Sequence, residues 1–362
     1  MPKGTVLPAE SVETRDARTG VRVWQLTCDA SINHHLYFLT SSMTPDGRHV
    51  VFASHRGGRP SLYLAGFPAG PIVQLTDTEG VNGLSAVLDR AGQTLYFTRA
   101  GEVRALDLAT LGETVLADFP GGQLGEVSLS ADGCLLAAAL RRGSRWALTV
   151  TATDGAGGRT IHESARTIIH PQFHPTDPSL LEYACDPAPR MWTIRADGAE
   201  NTCLWEHGDD EFLVHETFLG AGDDLVVVRW PRALQRFSLR TRTMAPIAAF
   251  NAWHIAPTRD GRFVLCDTAH PDIGLQIVST ATGQRRTLCH PESSNGGHQW
   301  TKSRYATAED WTTNIAADTV YGPQWTHPHP SFGIDERRVV FTSDRTGHPE
   351  VYVAEVPPNF LA

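Results

Sequence analysis

The sequence predicts an all-β protein, a seven-bladed β-propeller, and three observations carry that expectation. A turn signal followed by a β-rich run recurs seven times along the 362 residues. Equivalent positions in all but the last pair of copies are 39 to 45 residues apart, the period of a four-stranded blade. The last copy ends without an outer strand, and an N-terminal segment with the pattern of one can fill that place.

The copies begin at Thr44 (TPDGRHVVFAS), Leu88 (LDRAGQTLYFTR), Ser130 (SADGCLLAAAL), His174 (HPTDPSLLEYA), Gly220 (GAGDDLVVVRW), Thr258 (TRDGRFVLCDT) and Gly333 (GIDERRVVFTSD). Asp-Gly turns flanked by β-branched and aromatic runs are hairpin signals, because glycine supplies the positive φ that such turns require. Further strands are expected from Ser61, Val103, Leu275 and Glu350, with outer strands at Pro71 to Thr76, Glu113 to Ala117 and Arg285 to Cys289. Arg18 to Thr27 is expected to complete the last blade, joining the chain ends and removing an exposed sheet edge. Residues 1–362 are thus read as one domain, interrupted by a long loop at about 290–323. That stretch is polar and aromatic without strand alternation, and a loop of such length is usually functional or disordered.

Composition excludes several classes. A net charge of -9 argues against nucleic acid, whose binders carry a basic stripe. No apolar run is long enough to span a membrane, and the N-terminus has no secretory core. The six cysteines are widely spaced with no CxxC, which points to a reduced, cytoplasmic protein. Neither a dinucleotide-binding nor a phosphate-loop string is present. Oligomeric state is not legible.

The sixteen histidines are in excess, and the repeat places some of them. Counting back from each turn, the equivalent inner-strand positions are Thr40, Leu84, Glu126, His170, His215, His254 and His329. Four of these seven are histidines, which the blade symmetry directs into one channel. His327 and His329, two apart in an extended segment, point the same way. With another histidine and the oxygen of Gln324 they form a donor set suited to a divalent transition metal with open positions. His34 and His35, just before the first inner strand, and His170 are candidate substrate contacts. Lys302, Arg304, Tyr305 and Trp311, in the long loop, are candidates to cap a ligand, with a solvated loop or a subunit contact as the alternative.

The string QxxHPHPSF (Gln324 to Phe332), with HIAPTRDGRF from His254, RMWTIRADG from Arg190, HETF from His215 and the first-blade stretch His34 to Ser54, resembles the oligogalacturonate lyase family. The resemblance covers most of the chain. It implies a pectin-degrading lyase on a seven-bladed propeller, cleaving short oligogalacturonates such as unsaturated digalacturonate by β-elimination. It implies a divalent metal, manganese, on His254, Gln324, His327 and His329, a Brønsted base at His215 and an essential arginine at Arg190. A small uronate oligosaccharide is the implied partner. The chain departs from the family in Tyr183 to Pro189, where a Cys-His-Glu-Gly-Pro stretch is usual, and in the longer loop after His290. Those departures leave open an elimination or epimerisation on another acidic or oxidised sugar. A propeller without catalysis, binding a partner through its rim, is the remaining alternative.

Overall fold

A computed structural model describes residues 1–208, 210–295 and 325–362. Most of the expected loop, the four capping candidates within it and Gln324 lie outside these residues. The described chain forms seven antiparallel sheets arranged as a β-propeller, with a single short 3-10 helix at Pro358–Phe360. The expected strands are present: Ser61–Gly66, Glu102–Asp107, Leu275–Ser279 and Glu350–Glu355, with outer strands Ile72–Gln74, Glu113–Asp118 and Arg285–Cys289. The turns work as their residues dictate. In the first, Thr44 Oγ1 donates to Asp46 Oδ1 at 2.6 Å while Gly47 sits at φ 68°. In the sixth, Thr258 donates to Asp260 at 2.7 Å and Gly261 sits at φ 70°.

The last blade closes as expected, with one addition. The C-terminal copy supplies Ser331–Phe332, Arg338–Ser343 and Glu350–Glu355, and Arg22–Gln25 pairs with the last of these. Outside it lies a further strand, Val12–Arg15, while Val6–Leu7 extends the first blade. Both additions are short and lie at the outer edge of their sheets, so their residues carry no buried alternation that a sequence reading could detect. His34 and His35 also differ from expectation: they do not precede the first inner strand but form it, as Asn33–His35.

Closure is held by packing. Trp24, 8% exposed, pairs with Val353 of the last blade and meets the Phe67 ring of the first edge-on, 5.1 Å between centroids. Trp24→Ala is expected to cost about 3–5 kcal/mol, seen as a lower denaturation midpoint in urea at unchanged m-value.

Inner strands do not run straight. The ladder register breaks between Leu124 and Val127, Ile169 and Gln172, Val214 and Thr217, and Ala252 and Ile255. A β-bulge bends a strand and re-aims the extra side chain. These bulges hold Glu126, His170, His215 and His254, the equivalent blade positions.

Candidate metal centre and active site

The three histidines His254, His327 and His329 converge, with ring nitrogens within 4.8 Å of one another. The His254 and His329 ring centroids are 3.9 Å apart, and His327 lies 5.5 Å from each. His254 comes from the bulge of the sixth blade. His327 and His329 come from the segment entering the seventh, where His329 adopts φ 45°. Positive φ is uncommon for a residue with a Cβ, and its concentration at His170, His215 and His329 (φ 53°, 54° and 45°) marks strain held by the surrounding fold.

Asp267 organises the cluster. Its carboxylate accepts from the His254 backbone N–H at 2.6 Å, from His254 Nδ1–H at 2.7 Å and from the His329 N–H at 3.2 Å. Because Nδ1 of His254 is committed as a donor, its lone pair lies on Nε2, which is buried without a hydrogen-bond partner among the described residues. An orphaned imidazole nitrogen oriented by a carboxylate, beside two more imidazoles, is the donor chemistry of a metal site. The three donor nitrogens lie close enough together for all three rings to be ligands of one ion. Burial holds His254 and His329 well below the usual imidazole range and His327 at about 3, so the rings are neutral and able to ligate. Asp267→Ala is expected to weaken metal binding about 10–100-fold, measured by competition against a chelator with the folded fraction monitored in parallel.

The base candidate stands beside this cluster. His215 is 3% exposed, its ring centroid 4.4 Å from that of His254. Its Nδ1 lies 2.7 Å from the Trp253 carbonyl, which can only accept. The neutral ring therefore carries its proton on Nδ1 and its lone pair on Nε2. Burial, reinforced by His254, His170 and Arg190, holds its pKa well below 6.5.

Arg190 is 4% exposed and heavily engaged. Nε donates to Glu216 Oε2 at 2.7 Å, Nη2 to Glu216 Oε1 at 3.3 Å, and Nη1 to both oxygens of Asp186 at 3.0 and 3.1 Å. Asp186 belongs to the segment where the chain departs from the family motif. Arg166 donates to the carbonyls of Pro187 and Pro189 in that segment.

The remaining candidates hold the frame. His35 places Nδ1 3.0 Å from Ser42 Oγ and Nε2 3.0 Å from the carbonyl of Pro328, between His327 and His329. This geometry makes His35 a clamp on the HPHP segment rather than a ring offered to a ligand. His34, equally buried, sets Nδ1 2.9 Å from the His35 carbonyl. His170 lies between Tyr37, whose hydroxyl is 2.8 Å from Nε2, and Glu216, 3.1 Å from Nδ1.

Asp267, Glu216, Asp186 and the pair Tyr37–Phe38 were not singled out from sequence. Glu216 and Asp267 directly follow or face aligned histidines, which is the signal that could have found them. Tyr37 and Phe38 pack against the rings, with centroids 5.2 Å from His329 and 5.4 Å from His215. Both also line a cavity of about 1110 Å³ on the turn side of the channel, so they separate it from the histidines.

A family model described as oligogalacturonate lyase matches residues 1–138 and 148–360. The chain belongs to the oligogalacturonate lyase family. It is 24% identical to the oligogalacturonide lyase of Pectobacterium atrosepticum and 24% identical to the oligogalacturonate lyase of Dickeya dadantii, in each case over 99% of both chains. Among solved structures, an oligogalacturonate lyase in complex with manganese superposes with a TM-score of 0.85 at 22% identity over 100% of both chains. An oligogalacturonate lyase from Vibrio parahaemolyticus gives 0.83 at 22% identity, over 99% of this chain and 100% of its own. Those superpositions share the seven-bladed fold. Membership makes this chain an oligosaccharide lyase of the oligogalacturonate lyase type, which breaks a carbon–oxygen bond.

Burial of neutral histidines in this oligogalacturonate lyase family member has a stability consequence. His34 is held at about 3, His35 at about 4 and His327 at about 3, each by burial, and His215, His254 and His329 move the same way. An unfolded histidine takes up a proton near about pH 6.5, whereas these rings do not until far lower pH. The unfolded chain then binds more protons, so stability is retained above about 6.5 and falls as pH drops below it. Each ring contributes about 1.4 kcal/mol per pH unit in that window. Thermal unfolding of chelator-treated protein is expected to shift steeply downward between about pH 6.5 and about pH 4.5.

Proposed function

We propose that this chain is a divalent-metal-dependent lyase, manganese being the expected ion, that cleaves short oligogalacturonates such as unsaturated digalacturonate by β-elimination. The observation that carries this reading is the placement of a lone pair on His215 Nε2 beside three imidazoles suited to one ion and within the same polar cluster as Arg190. The manganese complex of a structural relative supports the choice of ion. His254, His327 and His329 would hold it, with Gln324 the proposed fourth ligand from beyond the described residues. A bound divalent ion supplies Lewis acidity toward the uronate carboxylate, making the α-proton more acidic.

The residues of the chain do the rest. The C5 proton of a uronide lies α to its carboxylate, and His215 Nε2 is the acceptor oriented to take it. Arg190 directs planar donors at the carboxylate oxygens as charge develops on them. As the C5–H electrons form the C4–C5 double bond, the C4–O4 bond breaks and the leaving sugar departs with O4. Tyr37 and Phe38 close the site on the cavity side and exclude water there. His35, His170 and His34, expected as substrate contacts, are proposed to position the groups that make contact.

A cytoplasmic location belongs to the same proposal. All six cysteines are free thiols, which supports a reducing compartment. Among the described residues no helix is long and apolar enough to cross a membrane. Incubation of manganese-loaded protein with unsaturated digalacturonate tests the function: the ultraviolet absorbance of the conjugated double bond should fall as keto-uronate accumulates. Absence of turnover on any uronide, across several divalent metals, would refute it.

A further inference from the structure

Glu216 is, among the described residues, the one fully buried carboxylate that touches Arg190. It follows His215 in the bulge of the fifth blade and is 0% exposed. Its backbone carbonyl accepts from Gln172 Nε2 at 2.9 Å, and Gln172 Oε1 accepts from Thr217 Oγ1 at 2.6 Å. The bulge is thereby tied to the neighbouring blade, and the two residues His215 and Glu216 are presented as one rigid unit. Burial pushes the carboxyl up, but Arg190 and His170 outweigh it and hold Glu216 below the usual carboxylate range.

A buried ion pair is weak evidence for stability, since desolvating both charges offsets their attraction. Arg190 already has a charge partner in Asp186. What Glu216 adds is direction. A guanidinium is a flat fork with a side edge, Nε and Nη2, and an end edge, Nη1 and Nη2. Glu216 binds the side edge through two oxygens, at 2.7 and 3.3 Å, and Asp186 takes Nη1 at 3.0 Å. With Nη2 also 3.3 Å from His170 Nδ1, the guanidinium plane is fixed on every side. His170 Nδ1 lies 3.1 Å from the same carboxylate at Oε1, and the Tyr37 hydroxyl lies 2.8 Å from His170 Nε2.

We infer that Glu216 is a positioning residue: it fixes the plane of the Arg190 guanidinium, and with it the place of that positive charge beside His215, which the same bulge carries. This inference rests on the proposed function. A role exercised through Arg190 predicts a specific kinetic pattern. Steady-state turnover of unsaturated digalacturonate by the manganese-loaded full chain is compared for wild type, Glu216→Gln, Arg190→Ala and the double variant, with bound manganese measured in each. Loss of one oriented donor to developing charge costs about 10²–10³ in kcat. Glu216→Gln is therefore expected to lower kcat about 10²-fold with KM and metal content near wild type. In the Arg190→Ala background the same change should cost less than about threefold, because a residue acting through another has nothing left to act on. A loss below tenfold in the presence of Arg190, or an equal loss in both backgrounds, overturns the inference. If the glutamine variant does not fold, Glu216→Asp decides: the charge is kept but the side chain is one carbon shorter. It should still lose kcat, and unchanged kcat overturns the inference. A wild-type protein without turnover overturns the proposed function and this inference together, whereas normal turnover with an unaffected Glu216→Gln removes only the inference.

Discussion

His215→Asn should lower kcat by about 10²–10⁴ and leave manganese bound. The expected separation of the two effects follows from the geometry. His215 commits Nδ1 to the Trp253 carbonyl at 2.7 Å and presents Nε2, while the imidazoles that cluster for an ion are His254, His327 and His329. Asparagine can keep a donor near the Trp253 carbonyl, so the bulge is retained and only the basic nitrogen is lost. The wild-type pH profile carries a second signature. A base works only when unprotonated, and burial holds His215 well below 6.5. The activity it controls should therefore persist as pH falls through about 6.5, where an exposed histidine would already be protonated. It should decline only in more acid solution. The checks are kcat against pH, and elemental analysis of the variant.

His329→Ala should remove activity by a different route, through loss of the ion. Its ring is the nearest to His254, at 3.9 Å between centroids, and its backbone N–H is already anchored on Asp267 at 3.2 Å. Deleting the imidazole leaves that anchor in place and takes away one ligand. The affinity loss should exceed the about 10–100-fold expected for an outer partner such as Asp267. Turnover should be undetectable at micromolar metal and return partly at high manganese. Calorimetric titration with manganese, together with activity across the same range, checks both halves. The contrast with His215→Asn is informative, since one variant keeps the ion and loses chemistry while the other loses the ion first.

The propeller was legible because its determinants are local and repeated. Thr44-Pro45-Asp46-Gly47 and Thr258-Arg259-Asp260-Gly261 encode the same turn by the same hydrogen bond, and seven such turns leave little choice of architecture. Counting from the turns then brought His170, His215 and His254 to one level of the channel. The strands Val6–Leu7 and Val12–Arg15 escaped that reading because they are short edge elements, and edge strands bury no regular face. The carboxylates were invisible for another reason. Alternation along a strand sends neighbours to opposite faces, so Glu216 next to His215 would be assigned away from the channel. The bulge between Val214 and Thr217 cancels that rule, and no composition signal announces a bulge built from His-Glu. His35 meets the Pro328 carbonyl, 293 residues away, a partner that no local pattern announces. The proposed ligand set joins a sequence motif, HPHP, to His254 from another blade, and Asp267, which holds His254 and the His329 backbone, carries no motif of its own.

The account stands most directly on where an ion and a uronate sit relative to His215. A crystal soaked with manganese and an unreactive uronate disaccharide, with anomalous diffraction locating the metal, measures this. The expected result is one ion on His254 Nε2 and the imidazoles of His327 and His329, with a uronate carboxylate against it on the side of Arg190. C5 should then lie about 3–3.5 Å from His215 Nε2, the separation of a near-attack geometry. An ion bound away from the three histidines, or a uronate whose C5 faces away from His215, would contradict the account.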